Sequence, residues 1–341
     1  MTSKLAKQAV RSGMTAIVAT MLALALAPSG AAAAACPLVI VKCGCTISSS
    51  GNYTLNGPNP MLLTSTEGTT CVHIKVSNVT LTGGPTLQGP GSKSSTIGVY
   101  IDIFAKKVTL QSVQAMDFGQ GILIDGPNAT VQQATTSFNN KGTVVNGAYT
   151  LLIQQSSQRD DAAGIQINAS AKNFGMMSGK AVGATGAGIV LNGVSGAFLN
   201  SIMADDDASF GIWLKDASNN LITGFEAEDN GIAGVYLGCN ADGPNGKSSC
   251  ATGSNGNTLV GPVYASPPSV VSYTGALLLQ QSYGIAVGKG NLDNHFLIIM
   301  GMGNIVDDAL DENPNCGSNR WLVNDLATSS PAKNTTYTCL N

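Results

Sequence analysis

The sequence predicts an all-β solenoid of stacked parallel strands, and three observations carry that prediction. A five-residue unit of glycine, apolar, any, apolar and polar residues recurs, its apolar positions alternate with others, and successive copies are 21 to 24 residues apart. Clear copies start at Gly98, Gly121, Gly142, Gly164, Gly188 and Gly211, and weaker ones at Gly234 and Gly284. Internal repeats of this period indicate a chain that winds into similar coils.

Alternation within each unit places the first and third residues after the glycine on one face of a strand. Only Thr143 interrupts this apolar series. A five-residue strand cannot bury such a face alone, but strands stacked about 4.8 Å apart form a continuous core. We therefore expect Ile122, Ile165, Ile189 and Ile212 to stack in the interior.

The period also separates this architecture from other solenoids. Helical repeats are longer, and leucine-rich repeats of similar length need a Leu-x-Leu-x-x-Asn core that is missing here. What remains is a right-handed, single-stranded parallel β-helix of about ten to twelve coils. Each repeat glycine is expected to take a positive φ or a tight bend. The residue four after each glycine should form a polar ladder: Asp102, Asp125, Asn146, Asn168, Asn192 and Lys215.

The N-terminal residues 1–35 read as an export signal. A positively charged start is followed by the uncharged run Met14–Ala27 and a stretch of small residues, which is the order that signal peptidase recognises. The run is too short to span a bilayer, and no later stretch is long enough. Lipidation of Cys36 is an alternative. The sequence therefore predicts a secreted or periplasmic protein with a single β-helix domain at 36–341 and no membrane span.

Composition narrows the partners of the mature chain. Removing the signal would leave 14 basic and 20 acidic residues, a net charge of −6, and no basic cluster larger than Lys106-Lys107. A nucleic-acid partner would require a basic stripe, so it is excluded. Charged residues are only 11% of the chain, but the 43% apolar content argues against disorder.

All eight cysteines follow the export signal and are expected to form disulfides. Their spacing predicts two local bridges, Cys239 with Cys250 and Cys316 with Cys339. The other four allow three connectivities, which the sequence does not distinguish: Cys36, Cys43, Cys45 and Cys71.

The Gly-Ile-x-Leu strands and Asn-x-Ile turns resemble the pectin-lyase-like β-helix family of carbohydrate-binding proteins and sugar hydrolases, over residues 36–326. The segments that begin at Lys42 and Asn315 resemble the ends of many uncharacterised bacterial members. The resemblance implies a polysaccharide partner and no particular mechanism. The motifs of polygalacturonases, pectate lyases and alginate epimerases are missing, apart from an Asp-Asp pair within residues 205–207.

Two outward-facing aromatic residues on neighbouring coils, Trp213 and Tyr236, are candidates for stacking on sugar rings. The alternative is that a loop, such as the insertion between Cys239 and Cys250, covers them. Lys215, predicted to face outward beside Trp213, is a candidate lyase base or charge neutraliser.

Acidic residues precede the strands at equivalent coil positions. Asp206 and Asp207 are the candidate catalytic carboxylates, and Asp161 and Glu228 are candidate substrate contacts. The alternative is a solvated acidic edge or a turn stabilised by calcium. No metal ligands are assigned, but calcium is considered as a cofactor because a polyuronate would need Ca²⁺ to bridge it to this acidic surface.

The sequence thus favours an exported protein that binds a polysaccharide and cleaves it by hydrolysis or β-elimination. The rival hypothesis is a non-catalytic surface or adhesive protein in which the β-helix is a rigid display rod. The oligomeric state stays open.

Overall fold

The strands lie in three long parallel sheets, here named sheet A, sheet B and sheet C, and in one small sheet. The computed structural model describes residues 34–64, 69–244, 252–261, 281–301, 304–322, 324–326 and 329–330. The predicted export signal therefore lies almost entirely outside the described residues. The described chain from Ala35 onward belongs to one compact unit.

Strands are numbered along the chain, and each coil contributes one strand to sheet A. Its strands are β1 (Ala34–Ala35), β3 (Cys45–Ile47), β6 (Thr70–Ile74), β9 (Ile97–Ile101), β12 (Gln120–Ile124), β15 (Lys141–Val145), β18 (Ala163–Asn168), β21 (Ala187–Asn192), β24 (Phe210–Lys215), β26 (Ala233–Leu237), β28 (Tyr283–Val287), β31 (Asp307–Asp311) and β34 (Ser329–Ser330).

Sheet B follows sheet A in each coil. Its strands are β2 (Val39–Ile40), β4 (Gly51–Leu55), β7 (Val79–Thr82), β10 (Val108–Gln111), β13 (Thr130–Gln132), β16 (Leu151–Ile153), β19 (Gly175–Met177), β22 (Phe198–Asn200), β25 (Leu221–Thr223), β27 (Thr258–Val260), β29 (His295–Leu297) and β32 (Arg320–Leu322).

Sheet C is shorter and comes third in each coil. Its strands are β5 (Met61–Leu62), β8 (Thr86–Gln88), β11 (Gln114–Met116), β14 (Thr135–Ser137), β17 (Ser156–Gln158), β20 (Lys180–Val182) and β23 (Met203–Asp205). The small sheet pairs β30 (Met300–Gly301) with β33 (Asp325–Leu326), and a short 3-10 helix spans Pro314–Cys316. Over the described residues, the 12 strands of sheet B agree with the predicted ten to twelve coils, and sheet A has 13 strands because two-residue strands add to both of its ends.

The interior is built as the repeat predicts. Ile122, Ile165, Ile189 and Ile212 occupy one column of sheet A and are all buried. Thr143 lies in the same column, where its hydroxyl accepts a hydrogen bond from Gln155 Nε2 at 3.1 Å. The polar interruption of the core is therefore satisfied from within the coil.

The repeat glycines are needed for space and not, as expected, for a positive φ. None of them has a φ in the left-handed region. A Cβ on Gly121 would lie 2.7 Å from the carbonyl oxygen of Gly142, and one on Gly211 would lie 2.7 Å from that of Gly234. Any side chain at these positions would collide with the backbone of the next coil.

Hydrogen-bonded polar ladders run along the coils, and the predicted ladder at the end of sheet A is confirmed from Asp125 to Asn192. Asn146 Nδ2 donates to Asp125 Oδ1 at 2.6 Å, and Asn168 Nδ2 donates to Asn146 Oδ1 at 2.7 Å. A second, buried ladder precedes sheet B, where the amide N–H of one rung donates to the amide oxygen of the next, in the order Asn220, Asn257, Asn294 and Asn319. Such ladders satisfy backbone groups where the coil turns.

Disulfides close the N-terminal end. Cys36 pairs with Cys45, and Cys43 pairs with Cys71, which selects one of the three connectivities. Cys239 and Cys316 are also disulfide-bonded. Their predicted partners, Cys250 and Cys339, lie outside the described residues, so these two pairings stay predictions.

Candidate functional site

The corner between sheet C and sheet A carries a column of residues with left-handed backbone conformation. Its members are Asp117, Phe138, Arg159, Gly183, Asp206 and Asp229, with φ between 52° and 73°. A backbone hydrogen bond joins successive coils here, for example from Asp206 N to Glu228 O at 3.2 Å. The left-handed residue interrupts the alternation of the strand. The inward and outward directions of the side chains before it therefore do not continue in the same alternation after it.

Before this left-handed residue, the acids face outward. Ala204 and Ala227 are buried, so Asp205 and Glu228 lie on the opposite, outer side of the chain. The bridge between Met203 and Glu226 sets the register that places Glu228 one coil above Asp205. Asp205 Oδ1 accepts a hydrogen bond from Glu228 N at 3.1 Å.

Burial and like charge act together on these two carboxyl groups. Partial burial, followed by the charges of Glu226, Asp205 and Asp229, raises the pKa of Glu228 to about 7. Burial likewise raises the pKa of Asp205 to about 6, because the charges of Glu226 and Asp206 add to burial, while the Glu228 amide and Lys180 only partly oppose it. The corner thus holds two half-buried carboxyl groups that titrate near neutral pH. Asp206 and Asp229, which belong to the left-handed column, lie next to this pair of carboxyl groups.

After the left-handed residue, the chain turns inward, and this corrects the prediction for Asp207. Asp207 is 0% exposed, so it is not the exposed turn residue expected and cannot contact a polysaccharide. Its Oδ1 accepts from Ala184 N at 2.8 Å, and its own amide donates to Asn230 Oδ1 at 3.1 Å. Burial raises the pKa of Asp207 well above its usual range. Asp207 is a rung of an internal ladder.

The aromatic pair is also covered, as the alternative interpretation held. Tyr236 is 2% exposed, and Phe210 stacks on it with ring centroids 4.7 Å apart. The half-buried Trp213 donates its indole N–H to Gly238 O at 2.7 Å. The chain after β26 folds back over these rings, and a Cβ on Gly243 would lie 3.7 Å from Phe210 Cε1. The rings form a second apolar cluster on the outer face of sheet A.

The structure places neither Lys215 nor Asp161 beside Asp205 and Glu228. Lys215 is the last residue of β24, whereas the acids precede that strand, and its Nζ lies 5.3 Å from the centre of the Trp213 ring. Asp161 precedes β18, two coils before β24, and its Oδ2 accepts from Ser92 Oγ at 2.6 Å. Of the seven predicted site residues, Asp206 and Glu228 are the two that lie next to Asp205 on the outer side of the corner.

A second polar group, which includes none of the predicted site residues, lies on the outer face of sheet A. His73 and Tyr100 lie on adjacent strands with ring centroids 4.6 Å apart. His73 Nε2 is 3.1 Å from Asp102 Oδ2, and the Tyr100 hydroxyl donates to Asp125 Oδ2 at 2.9 Å. The glycine repeat does not include the His73 coil, because Cys71 stands where later coils have glycine. The alternation of Val72 and Ile74 around His73 indicates that its side chain faces outward, but not which residues it contacts.

Among the described residues, no group of three or more histidine, cysteine or acidic side chains is arranged to hold a metal ion. Calcium therefore stays a sequence prediction. The same residues include no helix long and apolar enough to cross a membrane.

A family model described as "Right handed beta helix region" matches residues 120–296, just over half of the chain. The chain therefore belongs to the right-handed β-helix family, and the predicted architecture, including its hand, is confirmed. A comparison with curated protein sequences finds no significant match.

Solved structures with the same fold differ widely in sequence. The periplasmic alginate epimerase AlgG is 11% identical with a TM-score of 0.54, and the match covers 84% of this chain and 76% of that one. A mutant tailspike protein of E. coli bacteriophage HK620, solved with a pentasaccharide, is also 11% identical with a TM-score of 0.54, over 84% of this chain and 59% of the tailspike. At this identity, the likeness shows the fold.

Proposed function

We propose that the protein binds a polysaccharide at the corner between sheets C and A and hydrolyses a glycosidic bond there. Glu228 is the general acid and Asp205 is its carboxylate partner. The observation that carries this proposal is the pair itself, two half-buried carboxyl groups on adjacent coils, with pKa values raised to about 7 and about 6. An acid with a pKa near the working pH can hold a proton and still release it.

The spacing of the pair favours one stereochemical outcome. Adjacent coils stand about 4.8 Å apart. Glycosidases that retain anomeric configuration hold their two carboxyl groups about 5 to 5.5 Å apart, whereas inverting enzymes need room for a water between them. We therefore expect Asp205 to act as the nucleophile and the product to retain its configuration.

Polysaccharide as the substrate class is supported by the solved relatives, which include an alginate epimerase and a tailspike in complex with a pentasaccharide. Export is supported by the disulfides, because such bonds persist in oxidising compartments. Asp206 and Asp229 border the pair and would contact the sugar hydroxyl groups. The burial of Asp207 and Tyr236 removes both from the predicted substrate surface.

The test is reducing-sugar release by the exported protein from a panel of neutral and acidic polysaccharides. Glu228→Gln should lower kcat by about 10²- to 10⁴-fold, because the amide cannot donate a proton to the leaving group. Circular dichroism should show an intact fold, since Glu228 is only half-buried. Asp293→Asn, an exposed acid in another coil, is the matched control and should keep full activity.

Two results would overturn the proposal. One is a Glu228→Gln protein as active as wild type. The other is a wild-type protein that releases no reducing ends from any polymer, which would favour the display-rod hypothesis.

A further inference from the structure

We infer that the outer face of sheet A carries a second sugar-binding site, formed by His73, Tyr100, Asp102 and Phe104, which takes a neutral, hydroxyl-rich pyranose. It lies on a different face from the acidic corner, and β9 precedes β24 by five coils, about 24 Å along the axis. The inference rests on the proposed binding of polysaccharide for the class of ligand. It does not depend on hydrolysis.

The two rings of this site are fixed before any ligand binds. The His73 ring stacks on Tyr100 with an interplanar angle of 24°, and each ring is hydrogen-bonded to its own carboxylate, Asp102 or Asp125. Asp125 is held in turn by Asn146 at the start of the polar ladder. A site with fixed side chains loses little conformational entropy on binding.

An exposed apolar surface stands beside this polar pair. Phe104 is 79% exposed and its neighbour Ile103 is 60% exposed, directly after β9. Phe104 N donates to Asp102 Oδ1 at 3.1 Å, so the turn is tied to the carboxylate that contacts His73. Large side chains at this exposure contribute nothing to the core, and an exposed aromatic face is suited to pack against the C–H face of a pyranose.

The charges of the site select the ligand. Asp102 and Asp125 can each accept further hydrogen bonds from sugar hydroxyl groups, because each carboxylate has about four acceptor positions. The same two carboxylates repel a sugar that carries its own carboxylate. Burial, together with the charge of Lys75, lowers the pKa of His73 more than Asp102 raises it, so the imidazole is neutral at pH 7. Lys75 then supplies one positive charge near His73, against the two carboxylates of Asp102 and Asp125.

The other residues in the same column of sheet A differ from His73 and Tyr100 in burial and chemistry. One column of sheet A runs from His73 through Tyr100 to Leu123, and it continues into Val144, Val190 and Tyr236, which are buried. Gln166 and Trp213, which lie between these residues in the column, are half-buried, and the Trp213 indole is bonded to Gly238 in the segment that covers Tyr236. The first coils are where two half-buried rings stack on each other, and we place the ligand there.

The test uses the fact that the chain has only two histidines, His73 and His295. Protein with isotope-labelled histidine gives two sets of ring signals by NMR, which His73→Gln assigns. The Glu228→Gln background prevents turnover while cellohexaose, maltohexaose, mannohexaose and oligogalacturonate are added in turn. At least one neutral hexaose should shift the His73 signals saturably, while His295 on sheet B stays unmoved.

Phe104→Ala should weaken that binding by about tenfold, since the stacking surface is lost. Tyr149→Ala, which removes another exposed aromatic ring (59% exposed) near sheet B, is the control and should bind as wild type. The inference is overturned if no neutral hexaose shifts His73, if oligogalacturonate alone does so, or if Phe104→Ala binds as tightly as wild type. Hydrolysis by the wild-type protein without a shift of the His73 signals would contradict only this second site. A shift of the His73 signals without hydrolysis would contradict only the proposed reaction.

Discussion

Asp205 and Asp207 are two residues apart, carry the same side chain and lie in opposite environments. Asp205 faces the outer surface beside Glu228, whereas Asp207 is enclosed and bonded to the backbone of Ala184. The left-handed residue between them, Asp206, causes the difference because it breaks the alternation of the strand. The backbone angle of one residue thus determines that Asp205 can contact a substrate and that Asp207 can only stabilise the fold.

The largest expected effect would separate the two acids by activity. Asp205→Asn should lower kcat by about 10²- to 10⁴-fold, because the amide is a poor nucleophile and base. Asp207→Asn should leave kcat within about twofold of wild type, since the side chain does not reach the surface. Initial rates on the best polymer from the panel measure both. Equal losses in the two variants would show that Asp207 acts on the substrate after all.

A smaller effect concerns the pH dependence of stability, and it tests the buried acids that face the interior. Burial raises the pKa of Asp160, a rung of the same internal ladder as Asp207, to about 6 from the usual 3.8. The folded state therefore holds a proton that the unfolded state has already lost between about pH 4 and pH 6. The free energy of unfolding contributed by Asp160 is greatest below about pH 4 and is lost as pH rises through about 6.

Asp160→Asn should reduce the loss of unfolding free energy between pH 4 and pH 7 by about 1 to 3 kcal/mol, because an asparagine carries no titrating proton. Asn139 and Asn230 already fill equivalent rungs. Urea unfolding of wild type and variant between pH 4 and pH 7 measures the slopes, with the exposed Asp293→Asn as control. Identical slopes for wild type and Asp160→Asn would mean that this carboxyl group is not linked to folding.

The smallest effect would test the residue that divides the two columns. Asp206→Ala should lower the free energy of unfolding by about 1 kcal/mol, because alanine disfavours a φ of 56°. Asp206→Gly should not show this loss, as Gly183 already fills the same position one coil earlier. Urea unfolding at one pH compares them. A glycine variant as unstable as the alanine variant would point to the lost carboxylate instead of the backbone.

The architecture was predictable because it depends on spacing. The repeat glycines, the interior isoleucine column and the ladder from Asp125 to Asn192 recur at fixed intervals, so each coil predicts the next. Even the inward direction of Asp207 had a signal, since Asn230 follows it by 23 residues and buried asparagine is the common ladder residue. Strand alternation alone, continued from Asp205, predicts the opposite direction for Asp207.

The surface was less predictable because it depends on contacts between segments. Tyr236 faces outward as its strand position requires, yet the chain after β26 returns to cover it. The insertion after this strand made a covering loop one of the two interpretations, but the repeat alone does not decide between them. The pairing of His73 with Asp102 joins residues of neighbouring coils, and its first coil has Cys71 in place of the repeat glycine.

The buried asparagine ladder before sheet B keeps the same bonding at every rung, although its rungs are 37, 37 and 25 residues apart in the chain. The ladder therefore aligns coils without regard to how much sequence each one contains. Two stretches of chain that differ by 12 residues in length thus give the same bond between rungs. A coil can therefore gain or lose residues outside the ladder without changing the register in which its neighbours stack.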